Sequence, residues 1–249
     1  MIALMYHVVC PIPAEADPEE SSLVVRPDRF AWQMADLAAR GFQTLRLDQY
    51  WQVVVSAAPR PRSVLLTFDD AYAHIDRTVT PILMRHGFTA VMFAAPAHLG
   101  ERNTWDGNHR FLSSLEVATA DQLAAMAAGS CWELASHALR HVDLCDLSPA
   151  ERRAELVESR ERLSMLAKRP VRDLAYPFGR HDAAVREDVR LSGYRMAFTA
   201  GRGALADLHQ LPRRPVRGQD RAMLFGLKTS AGSRWIYDGS TWPRRRRAS

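Results

Sequence analysis

Two pairs of residues in this 249-residue chain have the types and spacing to bind a cation and move a proton. Asp69 and Asp70 stand side by side in Thr67-Phe68-Asp69-Asp70, directly after the apolar run SVLL. His137 and His141 stand four apart in ELASHALRH, after a second apolar run. Neutral imidazole is a common ligand for zinc, cobalt and nickel. The four-residue spacing predicts that both rings project from one side of a helical turn, within reach of a single cation. Two histidines leave the ligand set incomplete. A carboxylate from another strand end completes a two-His-one-carboxylate site, which keeps open positions for water and substrate. Adjacent carboxylates repel, but where the chain turns out of a strand they can splay around one centre. One then binds the cation, its neighbour takes a proton from an attacking water, and the cation offsets the repulsion. The competing reading is structural: Asp69-Asp70 caps the segment that follows, and the two histidines are surface residues of a helix.

The elements that must position these residues alternate. Strand-like runs occur at 2–6, 63–68, 90–95, 131–136, 173–178 and 195–200, with helical patterns between most of them. Pro27 to Arg40 places Phe30, Met34 and Leu37 on one face and stops at Gly41. Ser148-Pro149-Ala150-Glu151 reads as an N-cap, a first-turn proline and a capping box, opening a helix that Pro170 forbids from continuing. A third helix covers roughly 121–128 and ends at Gly129. Strands alternating with helices predict an α/β fold with a largely parallel sheet. Right-handed crossovers put every strand's C-terminal end on one rim, so both residue pairs share that rim. Segments 11–26 and 99–116 read as polar loops overhanging it.

The length and a hydrophobic content of 47% suit one large domain, expected over 1–232, with a peripheral Arg-rich tail over 233–249. The net charge of +5 points weakly to a polyanion, because Arg244 to Arg247 supply four of those charges and leave about +1 for the rest. With no basic stripe interleaved with aromatics, no nucleic-acid partner is expected. No span has the apolar length of a transmembrane helix. The N-terminus lacks a basic n-region and a long apolar h-region, so the chain reads as cytoplasmic. Cys10, Cys131 and Cys145 are scattered and odd in number, which suggests reduced thiols.

At this point the sequence resembles the polysaccharide deacetylases of the NodB-homology type, carbohydrate esterase family 4. The resemblance rests on Thr67-Phe68-Asp69-Asp70, on Ser136-His137-Ala138-Leu139-Arg140-His141, and on the later turn Tyr176-Pro177-Phe178-Gly179, in that order and over about residues 2–216. It implies a distorted (β/α) barrel of about seven strands, in keeping with the shared rim. It implies that Asp70, His137 and His141 bind one divalent metal ion, zinc or else cobalt or nickel, and that Asp69 is the catalytic base. It implies a carbohydrate substrate with N-acetyl groups, hydrolysed to acetate and a free amine. Tyr176, Pro177, Phe178 and Trp105 are candidates for the sugar-binding surface, with core packing as the competing role for Phe178. Tyr176 or a neighbouring backbone N–H is a candidate to hold the developing oxyanion.

The sequence also departs from the family pattern. Many members carry an arginine two residues before the motif proline, where this chain has Ala175, and the usual C-terminal histidine motif is absent. Leu4-Met5-Tyr6-His7 looks like that missing strand moved to the front, which resembles the circularly permuted branch acting on poly-N-acetylglucosamine. On that reading His7 is the general acid; otherwise it is a core histidine satisfied by hydrogen bonds. Arg213, in LPRRPV, either replaces the lost arginine beside Asp69 or forms a surface ion pair. Two rival functions share these residues: a metal amidohydrolase or deformylase on a small non-polysaccharide substrate, and a catalytically silent carbohydrate-binding homologue.

Overall fold

The structure is a computed structural model that describes residues 2–13, 16–58, 60–107, 109–201 and 203–230. The expected tail at 233–249 lies outside the described residues. In chain order the elements begin with β1 (Ile2–Tyr6), β2 (Val8–Val9), α1 (Pro18–Leu23), β3 (Val24–Val25), α2 (Pro27–Ala39), β4 (Gln43–Thr44) and α3 (Leu47–Val55). There follow β5 (Ser63–Phe68), α4 (Ile75–Arg85), β6 (Ala90–Ala94), α5 (Ala120–Ala128), β7 (Trp132–Ser136) and α6 (Pro149–Ala167). The last are β8 (Asp173–Ala175), α7 (Ala183–Leu191), β9 (Met196–Phe198), β10 (Arg214–Pro215) and α8 (Ala222–Lys228).

The main sheet runs β10-β1-β5-β6-β7-β8-β9, all parallel, with β4 added beside the start of β5. The segment 211–215 joins the two ends of this curled sheet. Leu211 exchanges backbone hydrogen bonds with Ala197 and Thr199 after β9, while Arg214 and Pro215 lie in register with Leu4 and Met5 of β1. A closed parallel sheet buries both faces of its strands, which is why these runs are continuously apolar rather than alternating.

Parity along each strand separates two cores. Leu4, Tyr6, Val64, Leu66 and Phe68 face outward and pack with Phe30, Met34 and Leu37 of α2 and Ile75, Val79 and Leu83 of α4. Ala3, Leu65, Val91, Phe93, Ala135, Ala175, Met196, Phe198 and Leu211 face inward, with Leu47 and Tyr50 of α3. Tyr6, Phe30, Phe68 and Trp132 form an aromatic cluster at the outer layer, with ring centroids 5.1–5.8 Å apart.

The capping box expected at α6 is present: Ser148 Oγ accepts from the Glu151 N–H, and Glu151 accepts from the Ser148 N–H. The segment 11–26 departs from the expected loop. It folds into α1, started by Asp17 with its own capping box, and then β3, which pairs with β2 in a small second sheet. A two-residue strand gives too short a run for periodicity to reveal, and the turn residues around it dominate the pattern. Phe68 is fully buried at the end of β5. Phe68→Ala should therefore lower stability by about 3–5 kcal/mol, read as a reduced urea midpoint.

Candidate active site

Inward parity brings the chemistry together. Thr67 and Asp69 continue the inward register of Leu65, His7 that of Met5, His137 that of Ala135, and Arg213 that of Leu211. They come from four different parts of the sheet and meet at its C-terminal rim, where His7, Asp69, Asp70, His137, His141 and Arg213 line one cleft of about 50 Å³. That is room for a few waters or an acetyl-sized group. A larger cavity of about 630 Å³ opens at the start of β1 and β5, the opposite rim; Arg40, Arg62, Ser63 and Thr229 are among its lining residues, which include no histidine or carboxylate.

Asp70 has outward parity, yet it reaches the cleft. Its φ of 70° and that of Ala71 at 51° are left-handed, and they turn the chain sharply out of β5. This is the splaying that lets neighbouring carboxylates take different partners. Asp69 faces Arg213, whose two terminal nitrogens donate to its two oxygens at 2.6 and 2.8 Å. Arg213 is 1% exposed, so it is no surface ion pair. Its Nε donates to the Thr199 carbonyl at 3.0 Å, a terminal nitrogen donates to Thr67 Oγ1 at 3.2 Å, and its guanidinium lies 5.1 Å from the Phe93 ring. Burial would raise the Asp69 carboxyl, but the Arg213 guanidinium, paired with it and hydrogen-bonded to both oxygens, holds it below its ordinary value. His7 Nε2 stands 4.0 Å from Asp69 Oδ2, on the side of the cleft formed by β1.

Asp70, His137 and His141 offer ligand atoms that all lie within 4.8 Å of one another. His141 Nε2 is 3.2 Å, and His137 Nε2 3.8 Å, from Asp70 Oδ1. Atoms sharing one tetrahedral zinc stand about 3.3 Å apart, given bonds near 2.0–2.2 Å. Asp70 Oδ1 is buried and makes no hydrogen bond, despite the imidazole nitrogen beside it. A buried orphan oxygen facing two imidazole nitrogens fits a cation between them. His137 Nδ1 bonds the Ala175 carbonyl at 2.8 Å, which assigns its proton to Nδ1 and leaves Nε2 as a ligand. Burial pushes His137 down to about 4, so the imidazole is in its neutral, ligating form at neutral pH. Burial would raise Asp70 as well, but the His141 ring nitrogen beside it holds it below the ordinary carboxylate range.

The 137–141 segment is not the helical turn its spacing predicts. It is an irregular loop with left-handed Ala138 (φ 60°) and His141 (φ 53°), and the two rings meet edge to face at 4.7 Å. Hydrogen bonds from elsewhere in the chain override the local pattern here. Trp105 and Phe178 both pack against the His141 ring, each with its ring centroid 4.8 Å away. Phe178 is thus a cleft residue rather than a core one. It holds a left-handed conformation (φ 57°) in the turn after Pro177, which is itself buried. Tyr176 borders the cleft, but its ring belongs to the outer core and its hydroxyl donates to the His209 carbonyl at 2.8 Å. Its N–H donates to the Phe198 carbonyl. Both donors are thus engaged, which removes Tyr176 as the oxyanion donor the sequence suggested.

Sequence reading missed Asp106, which lines the cleft beside Trp105. Asn103 Nδ2 donates to Asp106 Oδ2 at 2.8 Å and to the Tyr72 hydroxyl at 2.7 Å. The segment carrying it is fastened to α1, because Glu20 accepts the N–H groups of Phe111 and Leu112. A loop carboxylate with no partner spacing gives no pattern to find.

Arg213→Ala would leave the Asp69 carboxylate buried without its cation. In the metal-free protein this should cost about 3–5 kcal/mol at neutral pH. Asp69 in the native chain is depressed, so its contribution is present above its unfolded pKa and fades as pH falls through the lower folded one. In the variant, burial dominates and raises that pKa. The deficit relative to the parent should then shrink as pH is lowered from 7 toward 4, measured by urea unfolding at each pH.

The sequence model of the family described as polysaccharide deacetylase matches residues 56–197. YxkH of Bacillus subtilis (strain 168) is 25% identical over 202 residues, or 81% of this chain; the match spans 64% of YxkH. Among solved structures, the Streptococcus pyogenes deacetylase PplD in complex with acetate superposes with a TM-score of 0.79 at 22% identity, covering 92% of this chain and 98% of that one. IcaB from Ammonifex degensii gives 0.75 at 18% identity, covering 92% and 97%. At these identities the structural likeness speaks for the fold, a curled parallel sheet of seven strands. The sequence match, over more than half the chain, makes this protein a member of the polysaccharide deacetylase family.

Proposed function

We propose that this protein is a metal-dependent hydrolase that removes the acetyl group from an N-acetylated amino sugar. The observation that carries the reading is the pairing of two buried carboxylates with different partners: Asp69 with Arg213, and Asp70 with His137 and His141. The acetate in the PplD complex fits the same product class.

Asp70, His137 and His141 would hold one divalent cation, with zinc the natural match to two imidazoles and a carboxylate. A bound cation of this kind supplies Lewis-acid polarisation of a carbonyl and a lowered water pKa. Asp69 is the base. Arg213 keeps it ionised and fixes both oxygens, so its proton-accepting lone pairs face one direction. His7, whose Nε2 lies 4.0 Å from Asp69, protonates the departing nitrogen, since an amide nitrogen leaves poorly as an anion. Trp105 and Phe178 flank His141 and present aromatic faces suited to a pyranose. The cleft admits an acetyl-sized group and not a sugar ring, so the sugar lies over the mouth while its acetamide enters.

Acetate release from N-acetylglucosamine oligomers, with zinc, cobalt or nickel restored, tests the reading; no acetate from any N-acetylated sugar would contradict it. Formate from N-formyl substrates instead would favour the deformylase alternative. Asp69→Asn should keep its metal and lose about 10²–10⁴ in kcat. His7→Ala should slow amide cleavage far more than cleavage of an acetyl ester, whose leaving group needs less protonation. Equal losses on both substrates would remove His7 from the acid role.

A further inference from the structure

The loop between His137 and His141 has no regular secondary structure, yet its backbone groups are held from outside. The His137 N–H donates to the Ala94 carbonyl at 2.8 Å, and the Ala138 N–H to Ser136 Oγ at 3.2 Å. Ser159 Oγ donates to the Ala138 carbonyl at 2.9 Å. The Leu139 carbonyl accepts from the Ala97 N–H at 3.0 Å, and the Arg140 carbonyl lies 3.2 Å from His98 Nε2. The N–H groups of Leu139 and Arg140 both donate to one oxygen of Glu155, at 3.0 and 2.9 Å. The other oxygen of Glu155 accepts from Arg140 Nε.

Glu155 is 1% exposed and sits in the second turn of α6. Two successive N–H groups converging on a carboxylate form an anion-holding nest, a shape the chain takes when a left-handed residue flanks it. Here left-handed residues stand on both sides, Ala138 and His141, each in a conformation a side chain disfavours. An isolated loop would relax out of it. The Glu155 carboxylate is the one charged acceptor on the nest, and a charge-assisted bond is about twice as strong as a neutral one.

We propose that Glu155 is a positioning residue for the metal centre: its carboxylate fixes the left-handed loop that aims His141 at Asp70 and spaces it from His137. It touches neither metal nor substrate. Ser159, Ser136 and the Tyr194 hydroxyl continue the support beneath the loop, bonded in series at 2.8 Å. The inference rests on the reading of Asp70, His137 and His141 as a metal site.

Zinc affinity of the full-length chain, measured by chelator competition alongside thermal unfolding of the metal-free form, tests it. Glu155→Ala should bind zinc about 10–100-fold more weakly, the range for residues that orient metal ligands. Glu155→Gln keeps one oxygen acceptor without the charge and should lose less. Asp188→Asn serves as the control. Asp188 of α7 is a buried carboxylate that accepts at 2.7 Å from Arg152 of α6, the helix that carries Glu155, and its loss should lower stability without changing zinc affinity. Parental zinc affinity in folded Glu155→Ala overturns the proposal. So does parental affinity in Glu155→Gln if the alanine variant does not fold, or an equal loss in Asp188→Asn. A parent chain that takes up no zinc overturns the metal reading itself, and this inference with it.

Discussion

The two-point grip of Arg213 on Asp69 is the contact on which the rim depends. It joins the end of β5 to the segment that closes the sheet, so the chain's middle and its C-terminal part are locked by one buried ion pair. A buried ion pair is not by itself a strong stabiliser, because both charges lose their hydration. Its worth here is specificity. Arg213 is held by Thr199, Thr67 and the face of Phe93 before it meets Asp69, so the carboxylate inherits a fixed orientation. A lysine in that position would bring one point charge and no fork.

With Asp69 compensated, its neighbour is free to take another partner. The left-handed turn at Asp70 and Ala71 swings the second carboxylate away from the arginine and toward the imidazoles. Asp70 Oδ1 then faces the Nε2 atoms of both histidines and makes no hydrogen bond, an arrangement a cation relieves. Two carboxylates adjacent in sequence thus acquire separate surroundings, one set by a guanidinium and one by two imidazoles. The same division explains why a family motif with two aspartates is chemically workable in a packed rim.

Much of this was legible in the sequence. The long apolar runs, the proline-and-glycine punctuation and the Ser148 capping box gave the main strands, three of the helices and a parallel sheet. Parity along the strands is enough to put His7, Thr67, Asp69, His137 and Arg213 on one inner surface, because each continues an inward register. What failed did so for physical reasons. The His137–His141 spacing reads as a helical turn, but Glu155 and Ser159 hold the backbone in a loop that no local pattern encodes. Tyr176 looks like a cleft donor, yet it shares the outward parity of Leu174, and its hydroxyl finds the His209 carbonyl. The small β2–β3 sheet and the Asp106 wall depend on contacts between distant segments, which single-sequence patterns do not contain.

Ala175 and Arg213 divide two tasks at the rim. The Ala175 carbonyl fixes the tautomer of His137, while the guanidinium arrives from the neighbouring strand segment. The account stands or falls on the convergence of two imidazoles and one carboxylate around a single ion. X-ray absorption at the zinc edge of the loaded full-length chain measures that directly. The account predicts one zinc with two imidazole ligands and oxygen, no sulfur, and half the imidazole scattering in His141→Ala. Zinc bound without imidazole, or through a cysteine sulfur, would contradict it.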